Sequence, residues 1–393
     1  MMKILFLSSW YPYPPNNGSK LRIYNLLRGL APEHEITLLS FSDQPDVDSD
    51  ICELRSLCRE VRVVPWKPFN PYSLRAQVGF LSSVPRAWVD TFSWEMAQAI
   101  RQTLAAQDYS LVIASQVNTA AYSRYLSGLP ALFEEVEIGV PYERFTRSTS
   151  PWHRLRFGLT WLKQRRYLAR LLRDFQVCTV VSEQERQLLA QAVPTYKSVD
   201  VIPNCVNLTD YEDIRTVAQP NTLIFTGSFR YTANHDAMVW FLKEVYPLIQ
   251  TRIPEMKLMI TGDHADLPLP TLDNVTLTGF VEDVRPLIAS SWLSLAPLRV
   301  GGGTRLKILE AMALRTPIVA TSKGAEGLDA QHGRHLLIAD TPQAFAEAVI
   351  RLSEEESLRQ QLANNAYQLV REKYDWAGVI PRFLDLIKQV AHP

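Results

Sequence analysis

Residues 293–321, LSLAPLRVGGGTRLKILEAMALRTPIVAT, admit few folds. Residues 293–298 form a short apolar run stopped by a loop, which predicts a buried parallel strand. Gly301, Gly302 and Gly303 give the main chain freedom to turn and to come close to a ligand. Thr304 is the expected N-cap, and Leu306, Leu309, Ala313 and Leu314 repeat at helical spacing. Residues 318–320 predict the next strand. Free N–H groups and the dipole at a helix start attract anions. Arg305 and Lys307 are wrongly signed for that end of a helix, and make sense if an anion sits there to be neutralised. Glu310, a turn and a half further on, could reach a pair of vicinal hydroxyls. Phosphates followed by hydroxyls describe a nucleoside diphosphate with its ribose. The alternative is a tight strand-to-helix turn with solvated basic residues and an ordinary surface Glu310.

The rest of the chain repeats this alternation. Apolar strand-like runs and amphipathic helices alternate through residues 1–206 and again through 221–376, with a polar stretch at 207–220 between them. The expectation is an α/β protein of two doubly wound parallel-sheet domains facing each other across a cleft, with the last helix, 377–391, packed back on the first domain. The 393 residues and the 47% apolar fraction suit two such cores.

Ligands of such sheets lie at the loops after the strands, so residues there are the candidates. Gly18 and Ser19 precede a helix expected from about Lys20, with Leu21, Tyr24, Leu27 and Leu30 on its apolar side; Gly18 is either a ligand-contacting backbone or a turn glycine. Glu134, Glu135 and Glu137 follow residues 131–133. They could bind sugar hydroxyls or supply a base, or form an exposed acidic loop. Ser182 to Glu185 has the spacing of a capping box. Gly227 and Arg230 follow residues 223–226, and Gly279, Phe280 and Val281 follow residues 275–277. Asp46, Asp48 and Asp50 form two overlapping DxD triplets, either a divalent-cation site or a solvated loop.

Composition closes other routes. Lys plus Arg equals Asp plus Glu at 41 each, so no overall field advertises nucleic acid. The four cysteines and seven histidines lack metal-site spacing, and the thiols suit a reducing compartment. No apolar run approaches the ~20 residues of a membrane span. MMKILFLSSW is expected to be a first strand rather than a leader. Residues 142–173 are the exception in charge, with nine Lys/Arg and one acid. Within 151–173, Leu155, Leu159, Leu162, Ala169 and Leu172 share one side, interleaved with Trp152, Phe157 and Trp161. Such a segment suits an anionic bilayer surface, or a core-packed helix with a solvated basic face. The expected location is the cytoplasm, with this helix as an attachment to the inner face of the plasma membrane.

GGGTRLKILEAMALRTPIVAT resembles the donor-site motif of the retaining, GT-B-fold glycosyltransferases of family 4, also called group 1. KILFLSSWYPYPPNNGSKLRIYNLL, VVSEQER, VIPNCVN and the KGAEGL and YDW segments resemble the same family. LIFTGSFRYTANHDAMVWFL and LTGFVEDVRPLIASSWLSLAPLRVGGGTR resemble its sugar transferases of polysaccharide and glycolipid assembly. The resemblance implies a nucleotide-diphosphate sugar donor held by the second domain and a glycan or lipid-linked acceptor held by the first, with no metal or other cofactor. It implies that Glu310 holds the ribose hydroxyls, that Gly279, Phe280 and Val281 lie near the base, and that Gly18 approaches the phosphates and sugar.

The chain also departs from that pattern. Gly302 stands where many members have a second glutamate, Ser228 where an arginine is common and Ala233 near where a lysine is common. The expectation is that Arg305 and Lys307, with Arg230, neutralise the diphosphate instead. The missing glutamate suits a deoxy or otherwise unusual sugar. A histidine common in the first domain is not evident; Glu135 and Glu137 occupy that loop and become the candidate catalytic acids. Two other readings stay open: a nucleotide-sugar 2-epimerase of the same fold, and a catalytically silent nucleotide-sugar-binding module.

Overall fold

The structure, a computed structural model, describes residues 1–44, 52–126, 128–302 and 305–392. The DxD triplets at 46–50 and the turn residues Gly303 and Thr304 lie outside the described residues. The chain divides into unit 1, Met1–Pro203 with Ile380–Pro393, and unit 2, Asn204–Val379.

Unit 1 is built on β1 (Lys3–Ser8), β2 (Glu35–Ser42), β3 (Glu60–Pro65), β4 (Leu111–Ser115), β5 (Ala131–Glu134), β6 (Val177–Val180) and β7 (Val199–Val201). They pair in the order β3-β2-β1-β4-β5-β6-β7, every pair parallel. Ile4 to Leu7 and Leu111 to Ala114 are all buried, as continuous apolar strands covered on both faces must be. The order reverses at β1 and β4, which places the loops after these two strands side by side.

The helix after β1 spans Gly18–Leu30 and starts two residues before the expected Lys20, because Asn17 caps it by accepting from the Lys20 N–H. Its inward face is Ile23, Leu26, Leu27 and Leu30 together with Arg22, whereas Leu21 and Tyr24 are only half-buried. The last helix, Trp376–Ala391, packs on it: a Cβ on Gly29 would lie 2.4 Å from Ile380 Cδ1. Ser182 caps the helix Glu183–Ala192 as expected, its hydroxyl accepting from the Glu185 N–H at 3.2 Å. The Glu185 carboxylate accepts from the Ile138 and Gly139 N–H groups at 3.1 and 3.2 Å, holding the start of the helix Gly139–Thr146. The basic helix, Pro151–Leu171, buries Leu168 and Leu171 but leaves Trp152, Leu155, Leu159 and Leu162 exposed.

Unit 2 is built on β8 (Gln219–Thr226), β9 (Lys257–Thr261), β10 (Val275–Gly279), β11 (Ser291–Ala296), β12 (Ile318–Ala320) and β13 (Leu337–Ile338). The order is β10-β9-β8-β11-β12-β13, again all parallel, and it reverses at β8 and β11. Phe225, Phe229, Phe241 and Phe345 are fully buried in its core; removing one such ring costs about 3–5 kcal/mol. β11 ends at Ala296, two residues earlier than the apolar run predicts.

The helix after β11 spans Leu306–Ala313 and buries Ile308, Leu309, Ala311, Met312 and Ala313. Arg315, at φ 55°, ends it: the Arg315 N–H bonds Met312 O and the Thr316 N–H bonds Ala311 O, the paired bonds of a Schellman stop. Among the described residues no helix is long and apolar enough to cross a membrane.

Candidate active site

In unit 2, glycines with positive φ line the C-terminal rim of the sheet. Gly227 follows β8, Gly262 follows β9 and Gly279 ends β10, at φ 147°, 116° and 72°. Gly227 N–H donates to Thr261 O and Gly262 N–H to Gly279 O, so the three turns interlock. A Cβ on Gly262 would stand 2.7 Å from the Gly227 main chain, so the two turns meet backbone to backbone.

Gly227 also makes room for a lysine. A Cβ there would fall 2.6 Å from Asn234 Nδ2 and 3.0 Å from Lys307 Nζ. Lys307 Nζ donates to Asn234 Oδ1 at 3.0 Å and stands 4.0 Å from the centroid of the Phe225 ring. Burial, with the neighbouring charge of Arg305, pushes the Lys307 ammonium down to about 7. The ammonium is therefore short of compensation, and an anion arriving beside it would restore its charge.

Gly301, at φ 96°, packs its bare α-carbon against Tyr231 and Ala233, and the Tyr231 hydroxyl donates to Gly302 O at 3.2 Å. Arg305 sits differently from the sequence expectation. It occupies the cap position ahead of Leu306 rather than the first turn, and it is 4% exposed. Its guanidinium donates to Gly301 O and Gly302 O at 2.9 Å and to Lys323 O at 3.0 Å. The fork thus ties the loop after β11 to the loop after β12; Glu326 Oε2 lies 3.7 Å from the same guanidinium, whose buried Nε–H has no hydrogen-bond partner among the described residues.

Glu310 lies one turn beyond Lys307 on the same helix. Burial pushes its carboxyl up to about 7, against the opposing pull of Lys307 and of the neighbouring Tyr211 hydroxyl. Arg285 stands 5.8 Å from the Tyr211 ring centroid and pairs with Asp283 at 2.8 Å. Tyr211 was invisible as a site residue because it falls in the polar stretch between the domains; its being the one aromatic in residues 207–220 was the only signal. Arg230 is exposed and pairs with Asp263, the residue after Gly262 in the glycine rim. Phe280 is 74% exposed beside Gly279 and Val281 is half-buried, leaving an open apolar ledge at the rim.

In unit 1 the rim gathers around Gln116. Its Nε2 donates to Glu135 Oε2 at 2.8 Å and to Ser19 Oγ at 3.4 Å, and its Oε1 accepts from Trp10 Nε1 at 3.1 Å. The loops after β1, β4 and β5 are thereby joined, with Gly18 at the helix start next to Ser19. Gln116 and Glu135 both hold positive φ, 66° and 59°, the left-handed region that favours glycine.

The acid run 134–137 is not one exposed loop. Glu134 is fully buried, accepting from Arg22 Nε at 2.6 Å and Ser115 Oγ at 2.6 Å. Burial, with Glu134 and Glu137 adding to it, pushes Glu135 up to about 7 despite Arg22 and the Gln116 hydrogen bond. Glu137 is exposed. Among the described residues no group of three His, Cys, Asp or Glu side chains could hold a metal ion.

Residues 17–205 match the family described as "Glycosyl transferase 4-like domain", and residues 220–355 the family described as "Glycosyl transferases group 1". An uncharacterized 44.6 kDa protein in the cps region of Klebsiella pneumoniae is 27% identical over 164 residues, which span 39% of this chain and 42% of that protein. The chain thus aligns with less than half the length of that relative. The Anabaena protein Alr3699/HepE, whose crystal structure holds UDP and glucose, matches with a TM-score of 0.68 over 99% of this chain and 100% of that one, at 18% identity. The sucrose-phosphate synthase of Thermosynechococcus elongatus matches with a TM-score of 0.74 over 99% of each chain, at 17% identity. At those identities the two structures bear on the fold. With the two family descriptions falling in order along about four fifths of its length, and two parallel sheets beneath them, the chain belongs to the group 1 glycosyltransferases, of GT-B fold.

Proposed function

We propose that the protein transfers a hexose-type sugar from a nucleoside-diphosphate donor to a glycan or lipid-linked acceptor, with retention of anomeric configuration, in the synthesis of cell-surface polysaccharide or glycolipid. The observation that carries this reading is the placement of Lys307, the Gly301–Gly302 turn and the Tyr211–Glu310 pair along one short helix at the reversal point of the unit 2 sheet. The Anabaena structure with UDP and glucose supports a uridine-diphosphate donor, and a likeness to a putative teichuronic acid biosynthesis glycosyltransferase of Bacillus subtilis, 27% identical over 137 residues, supports the polysaccharide role.

Breaking the bond between the anomeric carbon and the phosphate oxygen builds negative charge on the leaving diphosphate. Lys307 and the main-chain amides of the turn stabilise that charge more in the transition state than in the ground state. In this reading Arg305 acts through the turn it clamps, as a positioning residue, and Glu310 accepts the ribose hydroxyls. The ledge of Gly279, Phe280 and Val281 takes the base. Unit 1 presents the acceptor near Gly18, Gln116 and Glu135; a carboxyl whose proton leaves near neutrality can take the acceptor's proton, with Glu137 at the loop's exposed end. The leaving phosphate is the other base available. Charge neutralisation by Lys307 and amides asks for no metal. The exposed apolar residues of the basic helix attach the protein to the cytoplasmic face of an anionic membrane.

The test is incubation of the purified protein with UDP-glucose and other nucleotide sugars, membrane-extracted acceptors and EDTA, with the product's anomeric configuration read by NMR. A retained linkage formed in EDTA supports the reading. Donor conversion without acceptor would move the protein to the epimerase class. Nucleotide binding with no turnover would make it a silent module.

A further inference from the structure

Unit 1 contains a cavity that shares no residue with the sheet rim. It measures about 490 Å³ and lies between the helices Arg86–Thr91 and Pro151–Leu171 and the turn Ser123–Tyr125. Its floor is apolar and aromatic, with Val84, Trp88, Phe92 and Tyr167; its polar lining is Arg75, Arg124, Arg170, Ser123 and Asp174.

The three guanidiniums are held by neutral acceptors. Arg75 donates to Phe92 O, Arg170 to Ser83 Oγ and Ser83 O, and Arg124 to the Tyr125 hydroxyl while lying 5.3 Å from the Phe92 ring centroid. Asp174 accepts from Ser123 Oγ at 2.6 Å. Three cations against one carboxylate leave the cavity with a positive excess and several free N–H donors. An arginine fork over an aromatic floor is the chemistry that takes a phosphate attached to an apolar body.

The ground around this cavity is apolar and exposed. The segment that supplies Arg75, Val84 and Trp88 also carries Leu74, Val78, Phe80 and Leu81, which are 76, 58, 66 and 94% exposed. On the basic helix, Leu155, Leu159 and Lys163 are spaced four apart and so share one stripe, and that stripe continues through Tyr167 toward Arg170. Lys163 Nζ donates to Gly79 O at 2.8 Å and Phe80 O at 3.3 Å, so the two exposed apolar groups belong to one surface. A free phosphate has no use for such surroundings, whereas a phosphate at the edge of a bilayer does.

We propose that this cavity seats the phosphate headgroup of an anionic phospholipid, with Leu74, Val78, Phe80, Leu81, Leu155 and Leu159 entering the bilayer beside it. The site fixes the orientation of unit 1 on the membrane through a defined pocket, which a merely basic amphipathic helix would not. It goes beyond the transfer reaction, and holds whether or not the chain turns over a sugar.

The test uses the purified full chain and flotation with phosphatidylglycerol/phosphatidylcholine vesicles against pure phosphatidylcholine vesicles. Two independent pocket variants are compared, the double substitution Arg124→Gln with Arg170→Gln and the cavity-filling Val84→Trp, each checked for folding by circular dichroism. A third variant, Phe80→Ser with Leu81→Ser, removes the apolar tip. The expected result is at least tenfold preference for anionic vesicles, lost by at least tenfold in either folded pocket variant. The tip variant should lose vesicle binding yet still bind monomeric dihexanoyl phosphatidylglycerol. Equal binding to neutral vesicles, or wild-type binding by a folded pocket variant, would overturn the proposal. Binding of glycerol 3-phosphate as tight as that of the short-chain lipid would overturn it too, by making the ligand a free phosphate.

Discussion

Lys307 Nζ bonds Asn234 Oδ1 at 3.0 Å, and the absence of a side chain at Gly227 is what lets the two meet beneath the glycine rim. An ammonium held there, pushed down to about 7, titrates in the range where a cell works. A diphosphate beside it favours the charged form, so binding above neutrality takes up a proton. UDP affinity should fall as pH rises above 7, by up to about tenfold per unit. Calorimetry in buffers of different ionisation heat should register the uptake, and Lys307→Met should abolish it. A flat affinity from pH 7 to 9 would free Lys307 of this role.

Lys307, with Glu310 and Glu135, also sets a stability profile for the unliganded protein. Glu310 is raised from 4.5 to about 7, so between those values the folded state holds more protons and stability falls as pH rises. Glu135 acts in the same direction over the same window. Lys307 is lowered from 10.5 to about 7, so between those values the unfolded state holds more protons and stability rises with pH. The urea midpoint should therefore pass through a minimum near neutrality. Glu310→Gln should flatten the acid limb and Lys307→Met the alkaline one.

Gly227→Ala sets a methyl 2.6 Å from Asn234 Nδ2 at a backbone φ of 147° that alanine rarely adopts. The strain should cost about 1–3 kcal/mol of stability, and the displaced Lys307 should weaken UDP binding about tenfold or more. Thermal melts and a UDP titration check both. Retained UDP affinity in a destabilised variant would uncouple the glycine from the lysine.

Arg305 gives the sharpest contrast between clamp and direct contact. Removing its side chain leaves three loop carbonyls without their charged donor, so Arg305→Ala should destabilise the protein by about 2–4 kcal/mol. Arg305→Lys should recover little, because one ammonium cannot span the acceptors of a planar fork. Denaturant melts decide. A variant with wild-type stability and only a lower transfer rate would place the guanidinium on the phosphate instead.

Several parts of this were legible from the order of residues alone. Apolar runs marked β8 and β11, because the buried part of a central strand has no polar residues until its ligand-side end. The helix that carries Glu310 was legible through the apolar spacing after the glycines. What stayed hidden depends on partners far apart in the chain. Arg22 meets Glu134 across 112 positions and Gln116 meets Ser19 across 97, and no local pattern encodes either. Arg305 was read as a phosphate ligand because its sign was wrong for a helix start; that it also bonds three main-chain carbonyls was hidden, since carbonyls leave no trace in side-chain patterns. Glu185 fitted a capping box, yet its carboxylate found two unpaired N–H groups on another helix. The exposure of Leu155 and Leu159 was equally unreadable, since the spacing that marks a core face marks a membrane face too.

The central claim, that the turn and Lys307 of unit 2 grip a leaving diphosphate, is tested most directly by titrating UDP and uridine into the wild type and into Lys307→Met. The difference between the two ligands isolates the diphosphate. The wild type should prefer UDP by about a hundredfold or more, and the variant should lose at least tenfold of that preference with uridine affinity unchanged. An undiminished preference for UDP in the folded variant would contradict the account.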